Sequence, residues 1–64
     1  MKRIKIIRCS DSLMWYNSQI GFYLEIIREE EDVYWVREPA GYLNIVLKKD
    51  AEVSIWCEKE RVWK

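Results

Sequence analysis

The chain has no histidine, a single proline, two glycines and no net charge, its 11 basic residues being matched by 11 acidic ones. Without histidine there is no Ser–His or Cys–His pair to make a nucleophile. The only cysteines, Cys9 and Cys57, lie far apart in the sequence. Two thiols without an imidazole do not make the usual structural zinc site. The two glycines, Gly21 and Gly41, are isolated, so there is no glycine-rich phosphate loop. Asp11 with Glu25, and Asp50 with Glu52, are read as turn caps and solubilising strand-edge groups rather than acid–base pairs. The expectation is a protein that is not an enzyme and has no catalytic residue, no metal and no cofactor.

Long apolar runs are also missing. None approaches the ~20 residues of a membrane span, and the basic start Met1-Lys2-Arg3 is followed by too short an apolar stretch for a signal peptide. A soluble cytoplasmic protein with reduced thiols is therefore expected, with no membrane partner. The balanced charge counts against nucleic acid as the main partner, because phosphate neutralisation supplies most of such affinity. The charges are nevertheless segregated. Lys2, Arg3, Lys5 and Arg8 gather in the first strand, and Glu29, Glu30, Glu31 and Asp32 form an acidic loop. These read as a solvated edge and a solvated turn.

Aromatic residues are abundant. Half of the 64 residues are hydrophobic, and four Trp, four Tyr and one Phe are among them. So short a chain is one domain and buries only ~60% of the surface its unfolded form exposes. Not all nine aromatic side chains fit one such core, and those left outside together define a contact surface.

Residues 3–9, 22–27, 33–38, 42–47 and 52–57 alternate or cluster apolar residues as strands do. Residues 10–20 read as a long loop, folded back by Leu13, Met14, Trp15 and Tyr16. Lys48-Lys49-Asp50 reads as a short helical turn. Five short strands in this order predict an all-β fold: a small five-stranded SH3-like barrel over residues 1–57, with a long first loop and a helical turn before the last strand. Residues 58–64 form a tail that packs on the barrel or on a partner.

Pro39-Ala40-Gly41 makes a three-residue hairpin loop, since proline presets the turn and Gly41 takes the positive φ that ends it. That loop pairs Glu38 with Tyr42, Arg37 with Leu43, Val36 with Asn44, Trp35 with Ile45 and Val33 with Leu47. One face then carries Val33, Trp35, Leu43, Ile45 and Leu47, and the other Tyr34, Val36, Tyr42, Asn44 and Val46. The first face is the more apolar and is assigned to the core. The second is either covered by the long loop or the tail, or it is a binding face with Tyr34, Tyr42 and Asn44 as its contact residues. Trp15 and Tyr16 are a second candidate, a stacking pair on the first loop, although plugging one end of the barrel explains them slightly better. Trp56 faces away from Ile55 and is covered by the tail, with Trp63 alongside, or by a second subunit. Cys9 reads as a small buried apolar side chain.

Trp15-Tyr16, Ile20-Gly21, Tyr34-x-Val36, Gly41-Tyr42 and Asp50-x-Glu52-Val53 together resemble small phage and prophage proteins of Gram-positive bacteria. The resemblance covers residues 4–53 through short motifs. Ala40 stands where that group carries an acidic residue before the turn glycine, and the tail from Ser54 is longer. The resemblance implies a phage-type accessory protein and carries over no functional residue. The expected function is a non-catalytic protein-binding module that inhibits or modulates a host protein, with a homodimer as a variant. A binder of nucleotides or single-stranded nucleic acid, stacking bases on surface aromatics, is the alternative.

Overall fold

The computed structural model describes residues 2–64. Alternation in Lys2–Ile6 makes the first strand, β1, whose Ile4 and Ile6 are fully buried while their neighbours point outward. A long loop follows, with one 3-10 turn at Trp15–Ser18. Then come β2 (Tyr23–Glu29), β3 (Val33–Arg37) and β4 (Leu43–Leu47). A second 3-10 turn, Lys48–Asp50, falls at the residues expected for a helical turn and leads into β5 (Ala51–Cys57). The tail returns as a short strand, β6 (Val62–Trp63).

All pairings are antiparallel and the sheet order is β4-β3-β2-β1-β5-β6. The all-β expectation holds. The five-stranded barrel does not: among the described residues there are six strands, and the sheet is open, with β4 and β6 as its edges. The sixth strand comes from the tail, where Trp56 faces Trp63 across the β5–β6 pair. On the other side the first loop takes the place of a closing strand. The Trp15 indole N–H donates to the Ile45 carbonyl at 2.6 Å, and the Tyr16 hydroxyl accepts from the Leu47 N–H at 3.3 Å. The Asn44 side-chain oxygen accepts from the Ile45 N–H at 2.8 Å. These side chains satisfy the β4 edge, where a neighbouring strand would otherwise add.

The β3–β4 register is the one the hairpin loop predicts, from Val33 opposite Leu47 to Arg37 opposite Leu43. The Glu38 N–H donates to the Tyr42 carbonyl at 2.7 Å, and Gly41 has a φ of 102°. The assignment of faces is inverted. Tyr34, Val36 and Val46 lie in the core with Ile4, Ile6, Leu24 and Tyr16, while Trp35, Leu43, Ile45, Val33 and Leu47 face outward. The cause is long-range pairing. Val36 is the partner of Ile26 on β2, and Ile26 packs against the core beside Leu24. That sets Val36, and with it every second residue of β3, inside. A bulge between Ile26 and Arg28 then brings two residues of β2, Ile27 and Arg28, opposite Trp35.

Candidate functional site

The outward face of β2–β4 carries Val33, Trp35, Leu43, Ile45 and Leu47, with Ile27 of β2 beside them. Trp35 sits at its centre, with Ile45 directly opposite on β4. Leu43 and Ile27 flank it at 51% and 43% exposure. Ile27, Arg28, Trp35 and Leu43 line a shallow cleft of about 300 Å³. Trp35 is held rather than loose. Its indole N–H donates to Glu30 at 2.8 Å, the Arg28 guanidinium lies 5.2 Å from its ring centroid, and Arg28 and Glu30 pair at 3.0 Å. The charges beside the cleft therefore neutralise each other and leave an apolar floor with a fixed aromatic anchor. A larger cleft of about 470 Å³ lies at the other end of β4, between Glu31, Asp32, Lys48 and Lys49, with Leu47 the single apolar group. Its carboxylates and ammonium groups are those of a solvated turn.

Of the contact residues expected from the sequence, Tyr34 and Tyr16 are core residues, at 8% and 0% exposure. Neither is on a contact surface. Tyr42 is on the surface at the hairpin tip, 72% exposed. Asn44 is half-buried and its amide is engaged at both ends, the nitrogen donating to Glu38 at 2.9 Å. Trp15 is half-buried and meets Tyr16 edge to face, ring centroids 5.5 Å apart. Trp56 and Trp63 meet in the same way, also at 5.5 Å, on the outer side of the β5–β6 pair. The structure thus gathers Trp15 and Tyr16 at the β4 edge and Trp56 and Trp63 at the opposite edge. The Tyr34–Tyr42–Asn44 surface is not formed. Sequence reasoning missed Ile27 and Leu43 as surface residues and placed Trp35 inside. The signal that they belong together was present, because they flank one hairpin face, but alternation alone does not say which face is out.

The groups with shifted ionisation are structural. Glu29 is held below the usual carboxylate range, first by its hydrogen bond from Lys48 at 2.8 Å. Lys48 is raised by the same bond. Among the described residues no cluster of three or more His, Cys, Asp or Glu is placed to hold a metal ion, and no helix is long and apolar enough to cross a membrane. Cys9 packs at the margin of the core with its thiol donating to the Asp11 carbonyl at 2.9 Å. Cys57 lies beyond the opposite end of the β1–β5 pair, whose register runs from Lys2 opposite Ile55 to Ile6 opposite Ala51. No family model, curated protein or solved structure matches the chain.

Proposed function

We propose that this protein is a non-catalytic protein-binding module that engages its partner through the outward face of β2–β4. The observation that supports this is the inversion of that hairpin. The face outside carries Val33, Trp35, Leu43, Ile45 and Leu47, a set apolar enough to be taken for a core, while the actual core is filled from the other face. A rigid sheet with an anchored tryptophan and flanking aliphatic groups suits burial against another protein. The order β5-β1-β2-β3-β4 within the sheet, with a 3-10 turn entering β5, supports an SH3-like description of the fold. The resemblance to phage proteins supports an accessory role on a host protein in the bacterial cytoplasm. The nucleotide reading is the weaker one: of Tyr34, Tyr42 and Asn44, on which it rested, Tyr34 is buried and Asn44 already bonded, which leaves Tyr42 alone exposed at the hairpin tip.

The double change Ile27→Ser with Leu43→Ser tests the proposal. Both side chains are largely exposed, so the variant folds. A lost apolar anchor costs about 2 kcal/mol or more of binding, roughly 30-fold. Affinity capture from host-cell lysate, read by mass spectrometry, is expected to retain a protein with the wild type and to lose it with the variant. Equal retention by both, or no retained protein, overturns the proposal.

A further inference from the structure

A second outward face, formed by β2, β1, β5 and β6, carries an arginine clamped between two aromatic rings. The guanidinium carbon of Arg3 lies 3.9 Å from the Tyr23 ring centroid and 3.7 Å from that of Trp63. Tyr23 comes from β2 on one side and Trp63 from β6 on the other. Ser54, opposite Arg3 on the intervening β5, is small enough to let the arginine reach across. Both faces of the guanidinium are thereby covered. Its Nε is buried with no acceptor, which leaves the two terminal nitrogens as its outward donors. Among the described residues the ion pairs are Lys2–Glu29, Arg28–Glu30, Lys48–Glu29 and Lys64–Glu60. Arg3 is in none of them, although Glu25 is its neighbour on β2. A stacked guanidinium with no acceptor and a fixed orientation is pre-organised for end-on, bidentate pairing with an anion.

We infer that Arg3 anchors a carboxylate side chain from an acidic segment of a partner protein, met end-on at the open rim of the Tyr23–Arg3–Trp63 stack. This rests on the protein-binding reading and gives the partner its chemistry. A small cleft, about 190 Å³, is lined there by Lys2, Arg3, Tyr23, Leu24, Glu25 and Trp63. It suits one side chain rather than a nucleotide. Glu25 lines it and Glu52 stands opposite Lys5 on β1, so carboxylates alternate with the cations of this face. A single carboxylate meets the two terminal nitrogens end-on, and single-stranded nucleic acid is the competing outcome of the test.

The test is a titration of the isotope-labelled chain with a hexaglutamate peptide, followed through the Trp63 indole N–H and the Arg3 Nε–H resonances. A saturable shift is expected, weakened about tenfold or more in Arg3→Gln. Arg3→Lys weakens it as well, because an ammonium group has no planar fork to stack or pair. Trp63→Leu, which opens one side of the clamp and leaves the core residues untouched, is expected to weaken it too. Core resonances of β3 and β4 confirm folding of each variant. Shifts unchanged in these variants, or no saturation up to about 10 mM peptide, overturn the inference. So does an Arg3-dependent preference for a single-stranded hexathymidylate, which moves the site to nucleic acid. If the peptide fails while Ile27→Ser with Leu43→Ser still abolishes capture, only the Arg3 anchor falls. If that capture fails as well, the protein-binding reading falls with it.

Discussion

Asp50 is the one charged side chain that is fully buried among the described residues. Its carboxylate accepts from the Tyr16 hydroxyl at 2.5 Å, from the Ser10 hydroxyl at 3.0 Å and from the Ser10 N–H at 3.3 Å. Its backbone carbonyl accepts from the Ile7 N–H at 2.9 Å, so one residue ties the first loop to the turn before β5. Burial by itself pushes the carboxyl up, but the Tyr16 and Ser10 hydrogen bonds outweigh it and hold Asp50 below its ordinary range. The same burial, with the anion alongside, drives the Tyr16 phenol well above its usual value. A depressed carboxyl stabilises the fold fully above its unfolded pKa of about 3.9, and that contribution is lost as pH falls through the folded value. Asp50→Asn is therefore expected to cost about 1–3 kcal/mol at pH 7. The gap to the wild type should begin to narrow as pH falls below about 3.9, where the unfolded carboxyl takes its proton, and close as the folded carboxyl, held lower, takes its own. Urea denaturation at pH 7 and pH 3 measures both, and a gap of equal size at the two pH values refutes the role. The inverted hairpin gives a second contrast between neighbours. Tyr34→Ala, in the core, is expected to cost about 3–5 kcal/mol, on the scale of the total stability of so short a chain. Trp35→Ala, on the outside, should leave the chain folded. Thermal melts rank the two, and a lower melting temperature for Trp35→Ala would restore the face assignment first drawn from alternation.

At the scale of elements, β4 illustrates how an open sheet is protected without closure. Its free edge is met by three side chains, from Trp15, Tyr16 and Asn44, rather than by another strand. Exposed edges invite pairing between chains, so the cap has a consequence beyond its own bonds. Trp15→Phe keeps the ring packing and removes the donor to Ile45. It should cost about 1 kcal/mol in urea unfolding and increase aggregation at high concentration, seen by light scattering. Unchanged stability and scattering would mean that the bond contributes little. The turn chemistry of the hairpin was legible in the sequence, and so was its register, because Pro39 and Gly41 act locally. The sixth strand was not legible. It holds only Val62 and Trp63, too short a run for any period to declare itself.

Across the whole molecule the apolar core is drawn unevenly from the strands. Its buried members come from β1, β2, β3, β4 and the first loop, and β5 adds only the partly buried Ala51. Ile55 and Val62 are 52% and 44% exposed, so the β5–β6 hairpin is held by backbone pairing and by Trp56 against Trp63 rather than by the core. The molecule is correspondingly elongated, 39 × 24 × 19 Å. Local opening needs less free energy where few apolar contacts are broken. Hydrogen exchange should therefore be slowest at Ile4, Ile6, Val36 and Val46 and faster by orders of magnitude at Val62 and Trp63. Equal protection throughout would show that the tail folds as one unit with the rest. This gradient leaves the Arg3 clamp spanning the most and the least protected parts of the sheet, since Trp63 is its outer jaw.

The sequence by itself determined the strand class, the hairpin register and the 3-10 turn at Lys48–Asp50. Each depends on neighbours in the chain. Tertiary structure alone decided which face of the hairpin is buried, that the sheet stays open, and that Arg3 meets Tyr23 and Trp63. Alternation fixes two faces but not their direction. Direction came from Val36 pairing with Ile26, ten residues away and across a bulge that shifts the parity of β2. The arginine clamp draws on β2, β1 and β6 across the intervening β5, an arrangement that exists only after β1 has inserted between β2 and β5, and no local pattern records that insertion.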